Sequence, residues 1–275
     1  MKAFYEDYRD ISSKIFANEG LPYYFPAHWH EAFEAIWVER GVFTVGINDN
    51  IYHIKENDLM IINRNDIHYY SDETDGRSLV AIVHPDILKP YMPVEHKLIS
   101  YISAEDLEKN GLDEKVPRIM RELVEINNKA EKLWYSTSAG LCIELFSYLY
   151  KYFTAEDIEN TEGSEKNNNF KKLLLYLNDN IEREISLEDA AKYLNYSVWH
   201  FSRLFQEYTN RTFTSYMNEL RINSSEKLLK DTDTPVSEIA MSCGFKSIRN
   251  FNREFKKYHN LTPTEYRHNF KDKSL

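Results

Sequence analysis

The chain has 275 residues, of which 42% are hydrophobic and 28% charged, an apolar content that supports packed cores and excludes wholesale disorder. Its two cysteines, Cys142 and Cys243, exclude a disulfide framework and a cysteine-based zinc site. The net charge of −10 hides an asymmetry: residues 170–275 hold 17 Lys and Arg against 14 Asp and Glu, a net +3, which leaves −13 on residues 1–169 and points to nucleic acid for the C-terminal part alone.

The chain opens with MKAFYEDYRD, which puts acids where a signal peptide needs an apolar run, and no stretch has the apolar length of a membrane span. A soluble, cytoplasmic protein without a membrane partner is expected. Residues 25–84 read as short strands at Ala35–Val38, Val42–Ile47, Ile51–Ile54, Leu59–Ile62, His68–Tyr70 and Ser78–Val83, separated by turn-like segments such as Glu39-Arg40-Gly41 and Asn48-Asp49-Asn50. Strands this short and closely spaced predict a sandwich or small barrel. Residues 113–153 place apolar residues at three- and four-residue steps and predict two antiparallel helices flanking the barrel. Leu141, Leu145, Tyr148 and Tyr152 form either core or a homodimer seam. Residues 154–169, TAEDIENTEGSEKNNN, are acidic and Asn-rich and predict an interdomain linker.

Residues 170–275 read as helical and repeat. FSRLFQEYTNRTFTSY (Phe201–Tyr216) and FNREFKKYHNLTPTEY (Phe251–Tyr266) agree at 8 of 16 positions at an offset of 50. Ala191 with Ala240, Asn195 with Gly244 and Tyr196 with Phe245 continue the match at an offset of 49, so one residue is extra in the second turn. Each copy reads as helix, tight turn and helix, with Asn195 turning the chain and Ser197 and Ser247 as N-caps. Phe201, Leu204, Phe205 and Tyr208 share one face of the first copy's second helix, and Trp199, Ser202, Arg203 and Gln206 the other. In the second copy Phe251, Phe255 and Tyr258 face inward, and Arg249, Asn250, Arg253 and Lys257 outward. This is the helix-turn-helix pattern, whose second helix enters the major groove of double-stranded DNA. Arg suits guanine, Asn adenine and Lys phosphate, whereas a charged face in a single copy is as well explained by solvation.

The stretches SCGFKSIRNFNREFKKYHNLTPTEYR and SYMNELRINSSEKLLKDTDTPVSEIA are similar to the second helix-turn-helix and the connecting helix of the AraC/XylS transcription regulators, a resemblance that covers about residues 170–275. It implies that Trp199, Ser202, Arg203, Arg249, Asn250 and Arg253 face bases, and that Thr264 and Glu265 start the closing helix. Asn210 and Asn260 depart from the Gly usual after each recognition helix; Asn also accepts a positive φ.

The N-terminal part resembles a cupin. HWHEAFEAIWVERG (His28–Gly41) has the H-x-H-x3-E-x6-G spacing of the first cupin motif. In metal cupins the two His, the Glu and a later His, here His28, His30, Glu34 and His68, form a metal site inside a small double-stranded β-helix barrel. Two residues apart on a strand, His28 and His30 share a face, and a set of this kind with open positions suits iron, manganese or zinc. The second cupin motif is degraded, with Asn57-Asp58 for Gly-Asp and Asn65 for Pro. The expectation is therefore an effector pocket lined by His28, His30, Glu34, Trp37, His68 and Tyr70, with no metal and no cofactor, for a small polar ligand such as a sugar.

The fold expected is thus multi-domain: a cupin-like barrel with flanking helices for sensing and dimerisation (residues 1–153), a linker (154–169) and an all-α DNA-binding domain with two helix-turn-helix units (170–275). The function expected is an effector-responsive, sequence-specific transcription regulator, a homodimer that contacts RNA polymerase if it activates. A cupin metalloenzyme of isomerase or dioxygenase type with a helical appendage is the alternative. No GxGxxG, Walker, GxSxG or HExxH motif supports an enzyme.

Overall fold

The structure, a computed structural model, describes residues 14–20, 24–72, 76–129, 133–155 and 161–271. The chain divides into two compact units, one ending at Asn167 and the other beginning at Asn168.

In the N-terminal unit the strands are β1 (Ile15–Glu19), β2 (Tyr24–His28), β3 (Phe33–Arg40), β4 (Val42–Ile47), β5 (Asn50–Lys55), β6 (Leu59–Ile62), β7 (His68–Asp72), β8 (Arg77–Val83) and β9 (Tyr101–Ile102). They form a five-stranded sheet in the order β1-β8-β3-β6-β9 and a four-stranded sheet in the order β2-β7-β4-β5, antiparallel throughout. All six strands expected from sequence are present. The expected barrel takes the form of two sheets around one interior, not joined into a closed ring among the described residues. The strands missing from the sequence reading are β1, β2 and β9. β2 carries Pro26, a residue that weakens any strand signal, and β9 has two residues.

The alternation of side chains along β3 shows how the unit is layered. Ile36 and Val38 pack between the sheets with Phe43 and Val45 of β4, Ile54 of β5, Met60 and Ile62 of β6 and Val80 and Ile82 of β8. Phe33, Ala35 and Trp37 point the other way, into a second core roofed by helices. That roof is α3 (Lys115–Lys129) and α4 (Trp134–Tyr152); α1 (Pro85–Leu88) and α2 (Ala104–Lys109) precede it. α3 buries Val116, Ile119, Met120, Leu123 and Val124, the three- and four-residue stripe of an amphipathic helix. On α4, Leu141 and Leu145 are buried in this core and Tyr148 packs against it, so these positions are core; Tyr152 stays 40% exposed.

The rest of the chain is helical: α5 (Thr161–Asp179), which contains the division between the units, and, in the C-terminal unit, α6 (Leu187–Tyr193), α7 (Val198–Thr209), α8 (Phe213–Asp231), α9 (Val236–Ser242), α10 (Ile248–His259) and α11 (Pro263–Lys271). The duplication is real in three dimensions. Asn195 and Gly244 hold the same turn at φ 57° and 83°, and Ser197 and Ser247 both cap the next helix through its third backbone N–H. The extra residue of the second turn is Lys246, between Phe245 and the Ser247 cap, and it pairs with Glu184. Gly244 is obligatory: a Cβ there would lie 2.3 Å from the Ile181 carbonyl.

Parts of the stretch 154–169, expected as a linker, are regular structure. Thr154 bridges Leu98, the Ala155 N–H donates to the Lys97 carbonyl, and α5 already runs from Thr161. The apolar residues Phe170, Leu173, Leu174 and Leu177 are buried and anchor a helix that extends back through the Asn run. Residues 156–160 of the expected linker lie outside the described residues.

Candidate effector site and nucleic-acid interface

His28 ends β2, His30 follows it, Glu34 lies on β3, and His68 and Tyr70 lie on β7. All five are at most 4% exposed. The His28 and His68 rings are 4.0 Å apart, His30 and His68 4.9 Å, and His68 and Tyr70 5.7 Å, centre to centre. Glu34 Oε2 lies 3.4 Å from both His30 Nε2 and His68 Nε2. The strand period explains the convergence: Glu34 has the parity of Ile36 and Val38 and points between the sheets.

Two backbone carbonyls orient the rings. His30 Nδ1 lies 3.0 Å from the Ala32 oxygen and His68 Nδ1 3.0 Å from the Asp66 oxygen. A carbonyl only accepts, so each Nδ1 donates and each Nε2 faces Glu34. Burial pulls the Glu34 pKa upward, but hydrogen bonds and charge from His30 and His68 outweigh it and hold the carboxyl well below its ordinary range.

Trp37 is not brought to this cluster. It lies three residues from Glu34, hence on the opposite face of β3, buried in the helix-covered core with the Arg121 guanidinium 4.9 Å from its ring. The sequence reading also omits a cleft of about 360 Å³ lined by Asn48, Tyr52, Asn63, Asp66, Lys97 and Tyr101. Asp66 connects the two places, because its carbonyl holds His68 while its carboxylate takes Asn48 Nδ2 at 3.1 Å and Lys97 Nζ at 2.9 Å. These residues come from three separate stretches of chain, 48–52, 63–66 and 97–101, with no spacing that could have flagged them.

In the C-terminal unit α7 buries Phe201, Leu204, Phe205 and Tyr208, leaving Trp199 73% exposed and Ser202, Arg203 and Gln206 exposed beside it. On α10, Phe251 and Phe255 are buried, Arg249, Arg253 and Lys257 are exposed and Asn250 is half-buried. Lys256, the counterpart of Gln206, is also exposed and is absent from the sequence reading. Arg203 Nε donates to Glu207 Oε1 at 2.9 Å; Arg253 donates to Asn250 Oδ1 at 2.6 Å and to Glu254 Oε1 at 3.0 Å. Asn210 and Asn260 end the two helices at φ 51° and 55°, as expected of residues in Gly positions, and Thr264 and Glu265 stand in the first turn of α11.

Comparisons with known proteins join the two halves. A family model described as a helix-turn-helix domain matches residues 190–269, and one described as an AraC-like ligand binding domain matches residues 16–92. The chain belongs to the AraC family of transcription regulators. The AraC-type chain is 28% identical over 249 residues to the HTH-type transcriptional activator RhaR of Enterobacter sp. (strain 638), covering 89% of this chain and 87% of the relative. It is 26% identical over 251 residues to the activator RhaS of the same organism, covering 88% and 87%. Among solved structures, an AraC-type DNA-binding transcriptional regulator from Chromobacterium violaceum is 29% identical, covers 39% of this chain and 96% of its own, and superposes with a TM-score of 0.36. The two matched domains and the activators it resembles make this chain a DNA-binding transcription regulator with an N-terminal effector-binding domain. No helix among its described residues is long and apolar enough to cross a membrane.

Proposed function

We propose that this regulator reads DNA with the outward faces of α7 and α10 and senses a small polar effector in its N-terminal unit, through His28, His30, Glu34, His68 and Tyr70. The observation that carries the DNA assignment is the same capped helix built twice, each time with an apolar face buried and a polar face exposed. The division of labour assigns sensing and dimerisation to the part ending near Ala155 and DNA binding to the part from α5 onward. Relatives named as transcriptional activators support activation and weigh against the metalloenzyme alternative; the regulator would then act as a homodimer that contacts RNA polymerase. The cleft beside Asp66, with the Tyr52 and Tyr101 rings 6.4 Å apart among amide and charged groups, suits a sugar-like effector. Reporter transcription measured with a panel of sugars and other metabolites tests this. His30→Ala abolishes the ligand-dependent change while the DNA affinity stays at the wild-type level; a ligand response that survives in His30→Ala rejects the assignment.

One observation favours a second reading, a transition metal ion in the same cluster. With both Nδ1 protons committed to carbonyls, two Nε2 atoms face one carboxylate oxygen at 3.4 Å, an arrangement that a metal ion between them would satisfy. The three histidines offer ligand atoms within 4.8 Å of one another. The 3.4 Å spacing is the edge of a tetrahedron with bonds of about 2.1 Å, and the near-complete burial leaves room for an ion more readily than for a sugar. His28, His30, His68 and Glu34 would hold the ion, which would supply a Lewis-acidic point for an effector carboxylate or hydroxyl. Elemental analysis of purified protein is the test: near-stoichiometric zinc, iron or manganese that His30→Ala loses supports it, and a protein that takes up none on titration rejects it.

A further inference from the structure

The stretch that follows α4 is part of the wall of the cleft beside Asp66. The Ile99 N–H donates to the Phe153 carbonyl at 2.8 Å, Thr154 bridges Leu98, and the Ala155 N–H donates to the Lys97 carbonyl at 2.8 Å. Asn63 clamps the same strip, taking the Leu98 N–H at 2.8 Å and donating to the Leu98 carbonyl at 2.9 Å. Asn63, Lys97 and Ala155 all line the cleft, as do Asn48 and Asn50 of the β4–β5 turn. Asp49, between those two, takes Lys166 Nζ of α5 at 2.9 Å. That pair lies within the N-terminal unit, which includes α5 as far as Asn167. Burial and then the charges of Asp66 and Asp49 push the Tyr52 hydroxyl up, so its ring stands in the field of both carboxylates. From Asn168 onward α5 belongs to the C-terminal unit. There Phe170 stacks on Tyr208 of α7 with ring centres 4.2 Å apart. Behind the last turn, Arg221 of α8 donates to the carbonyls of Ile181 at 2.9 Å and Arg183 at 3.0 Å, and Glu184 pairs with Lys246 in the turn of the second helix-turn-helix.

We propose that α5 couples the cleft to the DNA-binding unit, with the Asp49–Lys166 pair as the fastening through which a ligand in the cleft acts on it. The inference rests on the reading of the cleft as an effector site. One helix carries a fastening to the lip of the cleft at its first turns and fastenings to both helix-turn-helix copies further on. A ligand that hydrogen-bonds Asn48 and Asn50 fixes the turn between them, holds Asp49 in place and so strengthens its grip on Lys166. A ligand that also meets the strip from Lys97 to Tyr101 holds the backbone to which Ala155 is bonded. Coupling of this kind is reciprocal: whatever binds the C-terminal unit is felt at the cleft by the same factor.

Reciprocity lets DNA serve as the probe. Amide hydrogen exchange is followed in the full-length protein, alone and with a duplex of about 30 bp selected from random sequences, long enough for two half-sites one helical turn apart. DNA fixes the C-terminal unit, and α5 with it, so exchange at Ile99 and Ala155 slows. The slowing in the wild type is about two- to five-fold, the scale of one partly exposed ion pair. Lys166→Glu and Asp49→Lys each remove it, and the two together restore it. Amides of β3 and β8 exchange alike in every variant, with and without DNA, which checks the fold. Exchange at Ile99 and Ala155 that ignores DNA in the wild type, or slowing that persists in Lys166→Glu, overturns the inference. The reporter panel separates it from the reading beneath it. If a metabolite changes transcription in the wild type and does so undiminished in Lys166→Glu, the coupling fails and the effector reading stands. If none does while the DNA-dependent slowing is present, the effector reading fails and the mechanical coupling stands. A selection that enriches no sequence rejects the DNA-binding assignment and the inference with it.

Discussion

Six asparagines, at 48, 57, 65, 195, 210 and 260, hold positive φ angles between 51° and 68° where glycine is the commoner solution. A side chain in this region costs about 1–2 kcal/mol, least for Asn because its short amide hydrogen-bonds locally. Asn260→Val is therefore expected to lower the melting temperature of the chain while Asn260→Gly leaves it near wild type. Asn195, Asn210 and Asn260 were legible in the sequence because a repeat or a family pattern framed them. Asn65 was not: it stands where a Pro is expected, and only the structure shows its φ of 61°. A second residue-scale feature lies in the second helix-turn-helix. Burial raises the Glu226 pKa, but hydrogen bonds from His259 and Tyr266 and the nearby charge of Lys230 carry it below the ordinary 4.5. A carboxyl with a depressed folded pKa adds stability above the unfolded value and loses it as the pH falls through the folded one. Thermal melts of Glu226→Gln are expected to fall short of wild type at neutral pH, with the gap closing below about pH 4. At the DNA face, Arg203→Ala and Arg253→Ala are each expected to weaken specific binding by about 1–3 kcal/mol and relax preference at one base pair, measured by titration on a selected site.

At the scale of elements, period-2 and period-3.6 patterns carried most of the fold. β4 and β6 lie at the residues the alternation predicts, and the stripe on α3 is as regular as the sequence suggests. The same period-2 rule, applied fully, would have separated Glu34 from Trp37, since residues three apart on a strand face opposite sides. The convergence of His68 on His30 and Glu34 was beyond local pattern, because it depends on β2 pairing with β7 while β3 belongs to the other sheet. Sequence left the apolar stripe of α4 open between core and dimer seam, and burial decides it for Leu141 and Leu145. Leu145→Ala is expected to destabilise the N-terminal unit by about 2–5 kcal/mol, read by denaturant unfolding. Cys142, beside it in the same core, has its thiol pushed up to about 12 by burial and is a packing residue without nucleophilic character.

At the scale of the whole molecule, the charge asymmetry and the internal repeat made the two-part organisation legible, but the helical state of residues 161–169 was not. Polar composition alone could not tell the start of α5 from a linker, since a helix whose apolar anchors begin at Phe170 tolerates Asn, Glu and Lys ahead of them. A fragment that begins at Thr161 rather than near 170 keeps α5 whole and is expected to be soluble, helical and able to bind DNA with a steep salt dependence, checked by circular dichroism and mobility shift. Within that unit α8 runs unbroken for 19 residues from the end of one helix-turn-helix copy to the start of the next. At 1.5 Å per residue it is about 28 Å long, the same order as the roughly 34 Å of one DNA turn. Such a strut is a gauge with a fixed length. Promoters under this regulator can drift in base composition at each half-site, but the interval between half-sites is set by peptide geometry and cannot drift with them. A single inserted base pair would rotate one half-site by roughly a tenth of a turn away from the helix meant to meet it, so the ancestry of a regulated promoter should be readable in a constant interval long after its letters have changed.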